Sequence, residues 1–148
     1  MGVFQHAIDA KGRTSLPARF RELLTAQNTD RLIVTQHLSD PCLVAYAPAQ
    51  WGEVVAQVSK MPTFADATKL VTRAFVAPAQ ECSVDKLGRI LIPQSLRDFA
   101  SIGEEITWAG MGLRIEVWRP ARWDEVQQKA RDPQVQAELQ KVLGTLPI

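Results

Sequence analysis

The sequence predicts an α+β, β-rich fold made of two related halves packed about a pseudo-twofold axis within one chain. Three observations predict it. Asp9-Ala-Lys-Gly-Arg13-Thr-Ser-Leu-Pro17 returns as Asp85-Lys-Leu-Gly-Arg89-Ile-Leu-Ile-Pro93, 76 residues later in a chain of 148. At the same offset, Phe20-Arg21-Glu22-Leu23 meets Leu96-Arg97-Asp98-Phe99. At an offset of 72, Leu43 to Trp51 meets Ile115 to Trp123, so four residues have dropped out between the anchors. That shift fits an old duplication with a loop deletion, whereas low-complexity sequence would repeat at a short constant period.

The elements follow in order. Ala7-Ile8 and Thr14-Ser15-Leu16 flank Asp9 to Gly12, and Glu81 to Val84 and Arg89 to Ile92 flank Asp85 to Gly88. Each unit reads as strand, tight turn, strand. The turns need a residue at positive φ, which Gly12 and Gly88 supply without Cβ penalty, and an Asp that bonds back to nearby amides. Pro17 and Pro93 suit the first position of short helices, with Phe20, Leu23 and Leu24, and then Leu96 and Phe99, as the apolar faces. Strands are expected at 31–35 and 43–46 in the first half and at 106–109 and 115–118 in the second. Pro48 and Pro120 open longer helices, with Trp51, Val54, Val55 and Val58 at helical spacing in one and Trp123 and Val126 in the other.

A third helix, about 64–75, bridges the halves. The tail at 132–143 carries Val135, Leu139, Val142 and Leu143 on one face, more apolar surface than a small domain can bury alone, and contact with a neighbouring subunit is its expected destination. The expected organisation is repeat 1 at 3–50, a helical connector at 51–78, repeat 2 at 79–122 and a helical tail at 123–148.

Composition bounds the function. A chain of 148 residues with 46% apolar content can bury one compact core. Gln5, His6, Asp9 and Lys11 interrupt the N-terminus before a signal peptide could form, and no stretch reaches membrane-span length, so a cytoplasmic protein is expected. Cys42 and Cys82 stand far from CxxC spacing and read as small buried residues. The net charge is +1, unlike the strongly basic footprint usual for nucleic-acid binders. Yet the first 21 residues hold Lys11, Arg13, Arg19 and Arg21 against Asp9 alone, so a neutral protein can carry a positive face.

Enzymatic signals are thin. His6 and His37 lack metal-binding spacing, no metal site is expected, Gly110-Met-Gly112 is a bare GxG, and there is no nucleophile elbow or phosphate loop. Two repeat-related aspartates could share a proton at a pseudo-twofold axis, but each precedes an Arg in its own turn, which keeps it ionised. No cofactor or small-molecule substrate is implied.

The duplicated D-x-x-x-R turns, the string from Asp9 through Leu24, the string Val84 to Pro93 and the string Arg114 to Glu125 together resemble the MraZ family of bacterial regulators, built from two SpoVT/AbrB-like halves. The similarity covers almost all of the chain. It implies a swapped-hairpin β-barrel with flanking helices, a ring-like homo-oligomer, and display of both D-x-x-x-R loops to double-stranded DNA. It also implies binding at repeated short sites upstream of the division and cell-wall gene cluster that includes the protein's own gene, and thus a nucleoid-associated transcription regulator.

The residues suit that role. A two-stranded β-ribbon fits the major groove, and Arg13 and Arg89 can each donate bidentately to guanine. Lys11 and Lys86 suit phosphates, giving affinity without sequence information. Asp9 and Asp85 either orient the guanidinium and cap the turn beside Gly12 and Gly88, or simply close the hairpin with an ion pair that touches nothing else. Arg19, Arg21 and Arg97 either add to the positive field or pair with Glu22 and Asp98. Readings from other classes are an antitoxin-like interaction module and an oligomeric scaffold without DNA specificity.

Overall fold

The computed structural model describes all residues, Met1–Ile148. The strands are β1 Gly2–Ala7, β2 Arg13–Ser15, β3 Arg31–Gln36, β4 Leu43–Tyr46, β5 Gln80–Ser83, β6 Arg89–Leu91, β7 Glu105–Gly110 and β8 Ile115–Trp118. The helices are α1 Ala18–Ala26, α2 Pro48–Ser59, α3 Asp66–Val71, α4 Gln94–Phe99, α5 Pro120–Lys129 and α6 Pro133–Leu143.

Six strands form one antiparallel sheet in the order β1-β7-β8-β4-β3-β5, and β2 pairs with β6 in a separate ribbon. Exchanging the halves leaves that order unchanged: β1 takes the place of β5, β7 of β3 and β8 of β4. Each turn is flanked by only one local bridge, Ile8 with Thr14 and Val84 with Ile90. Those bridges, one at each edge of the sheet, join the ribbon to it, so the eight strands close into a barrel. The closure is exchanged between halves: β1 pairs with β7, β5 with β3, and β2 with β6. The hairpins read from the sequence thus contribute their turns locally and their strands to the opposite half.

The interior alternates as strand geometry requires. Ile8, Leu16, Leu32, Val34, Leu43, Ile90, Ile92, Ile106 and Val117 are buried together with Phe20, Leu24 and Leu96 from the short helices. Phe20 lies edge-on to Phe4, with ring centroids 5.6 Å apart, and tilted on Trp108 at 6.5 Å. Trp108 is fully buried, and no protein group accepts from its indole N–H. At the end of β4, Tyr46 clusters with Trp51 and Phe75, with centroid separations of 5.8 Å (Tyr46–Trp51), 6.2 Å (Tyr46–Phe75) and 5.5 Å (Trp51–Phe75), and the buried Thr35 hydroxyl donates to the Phe75 carbonyl at 2.6 Å. In the second half only the Trp118–Trp123 pair, 6.0 Å apart, occupies the matching place.

Some expectations are corrected. Pro17 and Pro93 sit at the N-cap, one residue before their helices, with extended ψ of 138° and 149°; the ring-constrained φ serves that position equally well. The bridging helix is shorter than 64–75, running Asp66–Val71 and then widening into a π-turn over Thr72–Val76 that brings Phe75 onto Trp51. Leu23 and Phe99 are exposed, because the first turns of α1 and α4 direct Phe20 and Leu96 inward instead. Cys42 and Cys82 are buried free thiols. No helix is long and apolar enough to cross a membrane.

Candidate nucleic-acid interface

The two D-x-x-x-R loops are built alike. In the first, the Asp9 N–H donates to the Arg13 carbonyl at 2.9 Å and the Gly12 N–H to the Asp9 carbonyl at 2.9 Å. In the second, Asp85 donates to Arg89 at 2.8 Å and Gly88 to Asp85 at 3.0 Å. Gly12 and Gly88 carry the positive φ that this closure requires, 91° and 77°.

Each carboxylate then does two things. Asp9 Oδ1 accepts from the amides of Lys11 and Arg13 at 3.0 and 2.9 Å, and Oδ2 accepts from Arg13 Nε at 2.8 Å. Asp85 Oδ1 accepts from Leu87 and Arg89, both at 2.9 Å, and Oδ2 from Arg89 Nε at 3.1 Å. These bonds, led by that from the Arg13 or Arg89 amide, hold both carboxyls below the usual aspartate range. Because each Asp engages Nε, both terminal nitrogens of Arg13 and Arg89 lack protein partners, a geometry that leaves a fork of donors for a ligand.

The ribbon sets where the forks stand. Arg13 lies opposite Leu91, Thr14 opposite Ile90, and Ser15 opposite Arg89. Thr14 and Ile90 are buried, so the side chains at 13, 15, 89 and 91 emerge on the other face. Arg13 and Arg89 are therefore diagonal neighbours on the outer face, about 7–8 Å apart at the backbone, and both side chains are 42% exposed. Lys11 and Lys86 are exposed in the adjoining turns.

The halves also brace each other's loops. The Ile92 amide donates to the Gly12 carbonyl at 2.8 Å, and the Leu16 amide to the Gly88 carbonyl at 2.9 Å. Arg97, expected to serve the positive field or pair with Asp98, does not pair with Asp98: its Nε donates to the Ile92 carbonyl at 2.8 Å, and its terminal nitrogens to the Ala10 and Lys11 carbonyls at 3.4 and 3.2 Å. Asp98 accepts from Gln94 instead. Arg21 makes no ion pair with Glu22 and lies against Gly88. The one legible sign of this bracing was the recurrence of an Arg four residues after each proline; its target on the opposite loop is a long-range contact.

Two segments, residues 1–74 and 75–143, match the family model described as "MraZ protein, putative antitoxin-like". The chain belongs to the MraZ family. It is 46% identical over 131 residues to the "Transcriptional regulator MraZ" of Desulforamulus reducens, covering 88% of each chain. It is 38% identical to the MraZ regulator of Roseiflexus castenholzii over 85% of each, and 37% to that of a Marinomonas species over 83% of this chain and 82% of the relative. The double match of the MraZ model coincides with the two halves seen in the barrel, and both D-x-x-x-R loops lie inside the matched segments.

Proposed function

We propose that this chain is a sequence-specific DNA-binding transcriptional regulator, not an enzyme, reading repeated short sites upstream of the division and cell-wall gene cluster that includes its own gene. The observation that carries the reading is the pair of arginine forks, held at Nε by Asp9 and Asp85 and standing diagonally on the outer face of a two-stranded ribbon. A ribbon of that width suits the major groove, and a backbone separation of about 7–8 Å spans two to three base steps. Arg13 and Arg89 then read guanine edges while Lys11 and Lys86 grip phosphates. The regulator names carried by the relatives support the same assignment.

The active form in this reading is a ring-like homo-oligomer in the cytoplasm, associated with the nucleoid. Helix α6 leaves Val135, Leu139 and Val142 exposed, and a neighbouring copy covering them would repeat the paired loops at fixed spacing. Repetition makes each further contact effectively intramolecular, so clustered sites bind far more tightly than single ones.

The test is binding to DNA from upstream of the protein's own gene against a shuffled sequence across a salt series, for the native chain, Arg13→Ala and Arg89→Ala. Preference for the native DNA that each substitution lowers, by about 1–3 kcal/mol per arginine, is the expected result. Equal, weak and salt-sensitive binding to both DNAs would leave an oligomeric scaffold. The antitoxin-like wording of the family description favours a second reading as a protein-interaction module; a protein of different sequence co-purifying in fixed ratio, with no DNA preference, would select it.

A further inference from the structure

The two loops share a motif and a fold position, yet they are supported differently. At the first, Arg97 reaches across the pseudo-twofold axis from α4. Its half-buried guanidinium spans three backbone carbonyls, one on its own half at Ile92 and two on the opposite loop at Ala10 and Lys11. A Cβ added at Gly12 would meet Arg97 Nε at 2.6 Å and would also strike the Ile92 carbonyl oxygen, so the absence of a side chain there is what admits the bracket. At the second loop the equivalent Arg21 packs against Gly88 but donates no side-chain hydrogen bond, and it is exposed.

We propose that Arg97 is a positioning residue for DNA reading, acting through the first loop: it fixes the Ala10-Lys11 tip so that Arg13 is presented in one pose before DNA arrives. This rests on the DNA-reading role of Arg13 proposed above. Asp9 holds the loop from inside and Arg97 from outside, so ordering that would otherwise oppose binding is already present in the free protein. The second loop has only its internal Asp85 bonds and the crossing Leu16–Gly88 bond, and it adapts on contact. Positioning is carried by the planar fork, because a lysine ammonium on a flexible stem has one point of attachment where Arg97 has three acceptors spread along two chain segments. In this reading Arg97 acts through its geometry, since all three of its nitrogens are engaged by backbone carbonyls.

The experiment compares native chain, Arg97→Ala and Arg97→Lys, each alone and combined with Arg13→Ala or Arg89→Ala, for discrimination between upstream and shuffled DNA and for the salt slope. Amide exchange of Lys11 and Gly12 is read in the DNA-free proteins beside that of Leu87 and Gly88. Expected are a loss of discrimination of about 5–20-fold in both Arg97 variants, a part of what one bidentate pair supplies, with the salt slope unchanged. The loss should vanish in the Arg13→Ala background and persist in the Arg89→Ala background, while exchange quickens at Lys11 and Gly12 alone. Recovery by Arg97→Lys would overturn the proposal in favour of a simple positive field. Equal coupling to both arginines, or equal loosening of both loops, would overturn it in favour of a general stabilising contact. If Arg13→Ala and Arg89→Ala alone leave discrimination intact, DNA reading fails, and the exchange data still decide whether Arg97 pins the first loop.

Discussion

The carbonyl of Gly12 accepts a 2.8 Å hydrogen bond from the amide of Ile92, so the tip glycine of one half is tied to the strand end of the other. The pseudo-equivalent bond runs from Leu16 to Gly88 at 2.9 Å. Two loops 76 residues apart in sequence are thereby parts of a single mechanical unit.

The glycines at these ties differ in what surrounds them. A Cβ at Gly12 meets backbone, the Ile92 carbonyl, as well as Arg97; a Cβ at Gly88 meets first the flexible Arg21 side chain, to which its three nearest atoms all belong. Both substitutions incur the positive-φ cost of about 1–2 kcal/mol, and Gly12→Ala adds a backbone displacement that Gly88→Ala avoids. Urea unfolding should therefore rank Gly12→Ala as the more destabilised; equal midpoints would mean that the barrel yields at the Gly12–Ile92 tie.

Phe20 belongs to the first half and packs on Trp108 of the second. Because the two share one core, Phe20→Ala should cost about 3–5 kcal/mol and lower the stability of the entire barrel. Trp fluorescence and far-UV circular dichroism should report one coincident transition in the native chain and in the variant. Separate transitions for the halves would contradict a single interleaved core.

Acid should loosen the loops only below the ordinary aspartate range. Asp9 and Asp85 have folded-state values depressed chiefly by the amide bonds from Arg13 and Arg89. The stabilisation they supply is complete above the unfolded value of about 3.9 and is lost as pH falls through the lower folded value. A pH titration of the Arg13 and Arg89 amide resonances should give midpoints below 3.9. Midpoints at or above that value would mean the carboxylates do not accept those bonds in solution. Asp9→Asn, which keeps an acceptor for the amides but loses the partner of Nε, should disturb Arg13 while sparing the turn; Asp9→Ala should disturb both.

The thiols should be silent. Burial raises Cys82 to about 11 and Cys42 further still, and both residues are almost inaccessible, so neither supplies thiolate at neutral pH. Neither should react with a disulfide reagent until the protein is denatured, when two equivalents should appear. Rapid native reaction at Cys82 would reveal opening of β5 from β3.

Exposed apolar residues on α6 predict a dependence of assembly on the tail. Replacing Val135, Leu139 and Val142 with serine should lower the mass in solution and the affinity for clustered sites, while affinity for a single site stays within about twofold. An unchanged mass would move the subunit contact elsewhere.

Sequence alone determined the duplication, the turn chemistry of Asp9 to Arg13 and Asp85 to Arg89, the strands 43–46 and 115–118 to the residue, and the helix starts at Pro48 and Pro120. Each of these depends on local rules: a glycine at positive φ, a proline at a helix start, alternation along a strand. The exchange of strands between halves was implied by the family resemblance and is invisible in the residues themselves, because β1 and β5 would satisfy the same pattern paired locally or across the axis. Only the closed barrel, in which β1 pairs with β7 and β5 with β3, decides between them. The tertiary structure also decided the fates of Leu23 and Phe99, left outside because α1 and α4 turn Phe20 and Leu96 inward, and the partner of Arg97. That side chain has an acid beside it in sequence, but three carbonyl oxygens fixed in position, Ile92 on its own half and Ala10 and Lys11 across the axis, match its planar donors better than one mobile carboxylate at the surface.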